Sequence, residues 1–312
     1  MLILLLSGDP ARGQEAEIII KTYTFKKVGD LAIKADVYRA NDKIVRPAVV
    51  WIHGGALING HREKINSRVK KMLLDAGYVL ISIDYRLAPE SKLPEIINDV
   101  EDAFTWIYER GPELFLIDNS KIAVMGSSAG GYLTLTSGFR CKPRPAVLVA
   151  FYGYGDLIGD WYSTPSRHPR HNEINITKEE AYQQVSGPPI SDSRHRKGNG
   201  SHFYQYCRQN GHWPKAVSGW DPHEEAQKFF PFMPIHNVTE SYPPTMLIHG
   251  TEDTDVPYEQ SLMMAKLLEK YGIYHQLVTI PGGEHGLKGG DPELIDAAYQ
   301  DALDFVNRYM IK

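Results

Sequence analysis

Four short runs that read as strands, each breaking off into a glycine-rich polar stretch, constrain this chain most. Pro47–Ile52 (PAVVWI) ends at His53-Gly54-Gly55-Ala56, and Lys121–Met125 (KIAVM) runs directly into Gly126-Ser127-Ser128-Ala129-Gly130. Pro244–His249 (PTMLIH) is followed by Gly250-Thr251-Glu252-Asp253, and Tyr274–Ile280 by Pro281-Gly282-Gly283-Glu284-His285-Gly286. Pro47–Ile52 is a continuous apolar run, which suits a strand covered on both faces, the environment inside a parallel sheet.

The remaining pattern alternates with these strands. Tyr23–Val28 and Leu31–Tyr38 read as a hairpin about Gly29-Asp30, and Tyr78–Asp84 and Ala146–Tyr152 read as further strands, eight in all. Helical spacing is read over Glu63–Ala76, Pro94–Tyr108 (with Gly111-Pro112 beyond its end), the residues after Gly130, Tyr258–Tyr271 and Pro292–Met310. Strands alternating with helices predict an α/β class: a mostly parallel eight-stranded sheet flanked by helices. The rhythm breaks once, between Gly153 and Tyr242. A structureless loop of that length is not expected in a compact domain. Residues 153–242 are therefore read as an inserted, partly helical cap within a domain spanning 17–312. Gly187–Ser201 is its best candidate for a mobile surface loop.

Composition removes several classes of function. There are 34 Lys+Arg against 38 Asp+Glu, a net charge of −4, which offers no footprint for nucleic acid. No apolar run approaches the roughly 18 residues of a membrane span. Two cysteines cannot build a disulfide framework or a Cys-rich metal site. His168 and His171 flank Pro169 with no carboxylate or Cys motif beside them, so no metal is expected. Residues 1–16 are read as a tail or as the remnant of a signal peptide. Leu2–Leu6 is too short for a signal core, yet Ala11 and Gly13 precede Gln14 as small residues precede a cleavage site. Export is expected if residues 1–13 are a truncated signal, and a cytoplasmic location otherwise.

Open α/β sheets hold ligands at the carboxyl ends of their strands, where the glycine-rich stretches fall. Gly126-x-Ser128-x-Gly130 between strand and helix fits a tight elbow that lifts a serine hydroxyl off the sheet. A serine needs a base, and His285, in a Gly-rich loop after a strand, is the candidate among 12 histidines. His53 and His249 are read as loop-shaping, and the seven histidines of the insert as surface groups. The carboxylate that orients the base is Asp253, with Asp255 as rival and Glu252 third. Backbone N–H groups of Gly55, Ala56 and Ala129 are the candidate donors to an oxyanion.

Together, HGGA, Asp84–Glu90 (DYRLAPE), GSSAG, HGTEDTDVP and GGEHG resemble the α/β-hydrolase superfamily, and within it the hormone-sensitive-lipase-like bacterial esterases. The resemblance spans about residues 45–150 and 243–310. It implies the α/β-hydrolase fold, the order Ser128, Asp253, His285 as catalytic triad, and Gly55, Ala56 and Ala129 as oxyanion hole. It also implies that Asp84 and Arg86 pair structurally within their loop. The family usually has a third glycine where Ala56 stands, and it builds much of its cap from an N-terminal helical segment.

The expectation is a serine carboxylic-ester hydrolase that acts on short acyl esters through an acyl-enzyme, with a small-molecule ester as partner and no cofactor. A serine peptidase of prolyl-oligopeptidase type and a non-catalytic ligand-binding protein on the same fold are the alternatives. The aromatics of the insert, among them Trp161, Tyr162, Tyr204 and Trp213, are read mainly as its own core.

Overall fold

The structure, a computed structural model, describes residues 17–311. The reading of residues 1–16 as tail or signal remnant lies outside them. Strands β1 (Ile18–Val28) and β2 (Leu31–Ala40) form the hairpin; β3 (Arg46–Ile52) and β4 (Val79–Ile83) flank helix α1 (Ser67–Asp75). Helix α2 (Leu93–Phe115) leads to β5 (Ile117–Ser127), α3 (Ala129–Arg140) and β6 (Val147–Phe151). Short helices α4 (Asp160–Ser163), α5 (Pro169–Asn172), α6 (Lys178–Gln183), α7 (Ser201–Asn210), α8 (Trp213–Ser218) and α9 (Pro234–Asn237) follow. The chain closes with β7 (Thr245–Gly250), α10 (Glu259–Lys270), β8 (His275–Ile280) and α11 (Pro292–Met310).

The eight strands form one sheet in the order β1-β2-β4-β3-β5-β6-β7-β8. β2 pairs antiparallel with β1 and β4, and every other neighbour is parallel. This is the α/β-hydrolase fold. Val50, Ile52, Val124 and Leu148 face one core with α2, α3 and the 153–242 segment, while Val49, Trp51, Met125 and Val149 face the other with α1 and α11. Connections leave β3 toward β4 on one side and reach β5 on the other, so a crevice opens at their carboxyl ends. Among the described residues no helix is long and apolar enough to cross a membrane.

Two helices differ from their sequence reading. α1 begins at Ser67, because Asn66 caps it with a side chain that accepts from the amides of Arg68 and Val69. The residues before it instead wrap the carboxyl end of β3. α2 continues through Gly111-Pro112. Pro112 has no N–H for the Tyr108 carbonyl, and Asn119 Nδ2 supplies that bond at 2.9 Å. At Gly111 a Cβ would lie 2.5 Å from Ile117 Cδ1, so the helix needs glycine there to sit against β5.

The segment from 153 to 242 has an aromatic interior. Tyr154 stacks on Tyr132, and Tyr162 stacks between Trp161 and Trp213. Trp213 Nε1 donates to the carbonyl of Ala56 at 2.9 Å, which ties α8 to the loop after β3. The expectation of a mobile loop at 187–201 is overturned for its middle. Leu87 N donates to Ile190 O at 2.9 Å, Gly60 N to Ser193 Oγ at 3.1 Å, and Arg196 Nε to Glu90 Oε1 at 2.9 Å. The Arg196 and Glu90 side chains are only 3% and 4% exposed. Their positions are far apart in sequence, so local polarity gave no sign of the anchor.

Asp84 and Arg86 do not pair with each other. Asp84 binds the amide and guanidinium of Arg62 at 2.7 and 2.9 Å, whereas Arg86 forks onto Asp99 of α2 at 2.7 and 2.9 Å. Both remain structural. Each side chain takes the partner whose geometry allows two hydrogen bonds, and so pins a different element.

Candidate active site

Ser128 stands between β5 and α3 with φ 56° and ψ −121°, a backbone region that side-chain-bearing residues rarely occupy. The turn closes only because its neighbours are small. A Cβ on Gly126 would lie 2.4 Å from Gly130 O, and one on Gly130 would lie 2.0 Å from Ile52 O. The Ser128 amide donates to Phe151 O at 2.9 Å, so the elbow is also held from β6. The hydroxyl is thereby presented above the ends of β3 and β5.

His285 reaches it from the loop after β8. Its Nε2 lies 3.2 Å from Ser128 Oγ, and its Nδ1 lies 2.8 Å from Asp253 Oδ2. With the Nδ1 proton directed at the carboxylate, Nε2 keeps its lone pair for the serine hydroxyl. Asp253 is held in turn by the amides of Asp255 and Val256, both on Oδ1, at 2.9 and 2.8 Å. Burial pushes the Asp253 carboxyl up, but hydrogen bonds from His249 and His285 outweigh it and hold the group at about 2. Burial likewise presses His285 down, while Asp253 and the charge of Asp255 raise it above its ordinary value. Of the three carboxylates weighed from sequence, only Asp253 lies behind the ring. Asp255 lies on its far side, and Glu252 is exposed.

Gly55 and Ala56 have φ of 120° and 55°, and among the described residues their amides donate to no protein acceptor. A Cβ on Gly55 would lie 2.1 Å from Asn59 O, so glycine is required there. Ala129 opens α3, and its amide is one of the first-turn N–H groups that a helix leaves without an internal partner. Gly55, Ala56, Ser128, Tyr204, Asp255 and His285 line one cleft of about 490 Å³.

The family model described as BD-FAE matches residues 35–174, and that of the prolyl oligopeptidase family matches residues 185–312. The two together run from the hairpin to the last helix and contain all five sequence motifs. The chain belongs to the α/β-hydrolase superfamily. Solved structures share the α/β-hydrolase fold over most of its length. A protein of unknown function from Staphylococcus aureus has a TM-score of 0.74 at 23% identity, covering 94% of this chain and 100% of its own. An α/β hydrolase superfamily protein from Enterococcus faecalis has a TM-score of 0.72 at 20% identity, covering 93% and 99%. A truncated carbohydrate esterase from gut microbiota has a TM-score of 0.67 at 20% identity, covering 94% and 97%. Curated relatives are far longer. The non-reducing polyketide synthase atr1 of Stereocaulon alpinum is 33% identical over 93% of this chain, and Preu3 of Preussia isomera 26% identical over 90%. The chain spans 13% of the length of each.

Two histidines of this α/β hydrolase do more than their sequence context indicated, and a third does what that context predicts. His249, read as loop-shaping, is wholly buried, with Nε2 3.0 Å from Val256 O and 3.3 Å from Asp253 Oδ2, and Nδ1 2.7 Å from Ser261 Oγ. Its position four residues before the acid across a tight turn was the available signal. His171, read as a surface group, is buried, with Nε2 3.0 Å from Asp255 Oδ1 and Nδ1 2.8 Å from Ser166 Oγ. Nothing local marks it, since its partner is 84 positions away. His53 is buried against Tyr85, the rings stacked at 4.3 Å, with Nδ1 2.8 Å from Gly54 O. It shapes the loop that carries Gly55 and Ala56. Among the described residues no group of three or more His, Cys, Asp or Glu side chains is arranged to hold a metal ion. Cys141 and Cys207 are buried free thiols.

Proposed function

We propose that this α/β hydrolase is a serine carboxylic-ester hydrolase acting on short acyl esters. The observation that carries the reading is the line from Ser128 Oγ through the His285 ring to Asp253, with both gaps at hydrogen-bond length. Ser128 attacks the ester carbonyl while His285 Nε2 takes its proton. The tetrahedral oxyanion is received by the amides of Gly55, Ala56 and Ala129. His285 returns the proton to the leaving alcohol as the carbon–oxygen bond breaks. Water then attacks the acyl-enzyme with His285 again as base, releasing the acid and restoring the hydroxyl. Asp253 stays ionised throughout and balances the imidazolium.

The 153–242 segment acts as a cap in this reading, since Tyr204 forms one wall of the cleft and Trp213 is bonded to the Ala56 carbonyl. Short acyl groups fit the wall chemistry. Asn59, Lys64, Asn66 and Lys288 interrupt the apolar surface offered by Trp51, Ile65 and Tyr152, where a long chain needs continuous apolar contact.

A panel of p-nitrophenyl esters of increasing chain length tests the proposal. Acetate and propionate are expected to turn over best, and Ser128→Ala to lose at least about 10³-fold in kcat while remaining folded. Retained turnover in that variant rejects the reading. The prolyl oligopeptidase family match over residues 185–312 favours one other reading, a serine peptidase. Aminoacyl-nitroanilides hydrolysed faster than acyl esters would select it. A fluorophosphonate probe that fails to label the protein would select a non-catalytic binder.

A further inference from the structure

Asp255 is a carboxylate in the cleft that the hydrolytic steps do not use. It stands two residues beyond Asp253 and comes round to the other side of the His285 ring. Its Oδ1 is fully engaged: Tyr204 donates at 2.5 Å, His171 Nε2 lies at 3.0 Å and Arg208 Nη1 at 3.4 Å. Its Oδ2 receives no hydrogen bond among the described residues. The nitrogens facing it are His285 Nε2 at 3.7 Å and Arg170 Nη2 at 3.9 Å. An open acceptor thus sits beside the nitrogen that hands a proton to the leaving alcohol.

We infer that Asp255 is a specificity-determining residue whose Oδ2 accepts a hydrogen bond from a hydroxyl neighbouring the ester oxygen of the alcohol, so that the site selects monoesters of vicinal diols and larger polyols. The inference rests on Ser128 and His285 acting as proposed above. The geometry closes. The leaving oxygen stands at hydrogen-bond distance from Nε2, and a vicinal hydroxyl stands about one hydrogen-bond length further on. That places it at the same distance from Oδ2 across the 3.7 Å gap. The donor is a neutral hydroxyl rather than an ammonium group. Arg208 and Arg170 already face the Asp255 charge, and Lys64 and Lys288 line the same cleft with no ion-pair partner among the described residues. A cation entering there meets four others.

The test compares 2-hydroxyethyl acetate with 2-methoxyethyl acetate, which differ by a methyl group that removes the donor. The wild-type protein is expected to favour the hydroxyl ester by about tenfold or more in kcat/KM, since a site built for a hydroxyl rejects the analogue lacking it. Asp255→Asn sharpens the comparison. Tyr204, His171 and Arg208 all donate to the Oδ1 position, so they hold the amide oxygen there and place the NH2 where Oδ2 was. An acceptor becomes a donor, and the ratio is expected to fall to one or below. A wild-type ratio near one, or a ratio unchanged in Asp255→Asn, overturns the inference. The wild-type ratio decides even if the variant does not fold. Serine-dependent hydrolysis of ethyl acetate without any preference sinks this inference alone, whereas no hydrolysis of any ester sinks the underlying reading as well.

Discussion

His249 and His285 share one carboxylate oxygen. Asp253 Oδ2 lies 2.8 Å from His285 Nδ1 and 3.3 Å from His249 Nε2, while Oδ1 is occupied by two backbone amides. An acid buried this deeply is costly to ionise unless donors surround it. Here three donors do, the amides of Asp255 and Val256 and His285 Nδ1, while His249 Nε2, itself bonded to Val256 O at 3.0 Å, stands beside Oδ2 at 3.3 Å, so the carboxylate is charged and fixed before any substrate arrives.

Replacing His249 with Phe keeps a ring in the cavity and removes the polar Nε2 edge that faces Asp253 Oδ2 and binds Val256 O. The Asp253 carboxyl, held at about 2, is expected to rise, and the imidazolium of His285 to lose support. On the scale of one hydrogen bond to a charged group, kcat should fall about tenfold with KM for p-nitrophenyl acetate little altered. The stability of the folded state should also become less dependent on Asp253 ionisation. That contribution is present above the ordinary carboxylate value of 3.8 and is lost as pH falls toward about 2. Steady-state kinetics and acid titration of unfolding measure both. A kcat within twofold of wild type would remove His249 from the account.

His53 gives the fold a second acid-sensitive point. Burial presses its imidazole from 6.5 down to about 4, so the folded protein favours the neutral ring. The sign follows directly. The contribution is complete above pH 6.5 and is withdrawn as pH falls from 6.5 toward 4, to the extent of about 3 kcal/mol. Thermal unfolding of the wild-type protein should therefore shift downward over that interval. His53→Asn, which cannot titrate, should show a visibly shallower slope even though it starts less stable for want of the Tyr85 stack. Parallel slopes for the two proteins would refute this assignment.

Arg196→Met tests the anchor of the 187–201 segment. The substitution leaves Glu90 buried without its cation, a loss on the order of 3–5 kcal/mol. Trypsin cleavage at Arg194 and Lys197 is expected to accelerate, together with a lowered melting temperature. An unchanged digestion rate would show that the backbone bonds from Leu87 and Gly60 are sufficient by themselves.

The parts of this molecule that were legible in its sequence obey local rules. A strand buried on both faces is an apolar run, and a serine on a strained turn needs glycines at fixed offsets, so β5, Ser128 and Gly130 could be read directly. The loop bearing Asp253 was readable because it follows such a strand, and that bearing His285 because its glycines follow the half-buried edge strand β8. What was not legible depends on contacts between distant positions. α2 outruns Gly111-Pro112 because Asn119 completes the Tyr108 carbonyl from the next strand. The 187–201 segment looked like a free loop because its anchor, Glu90, lies 106 residues away from Arg196. Asp255 was weighed only as a substitute for Asp253, since nothing in HGTEDTDVP tells which side of the imidazole each carboxylate takes.

Every side chain that grips Asp255 Oδ1 comes from between positions 171 and 208, whereas Ser128, Asp253 and His285 are all supplied by turns at the ends of sheet strands. The two sets of supports thus come from different elements and meet at Asp255, whose amide also holds Asp253 Oδ1. On the proposed reading, a change in α5 or α7 would re-aim or release a single oxygen and alter which alcohols fit, while the turns that carry Ser128, Asp253 and His285 keep their own place at the strand ends.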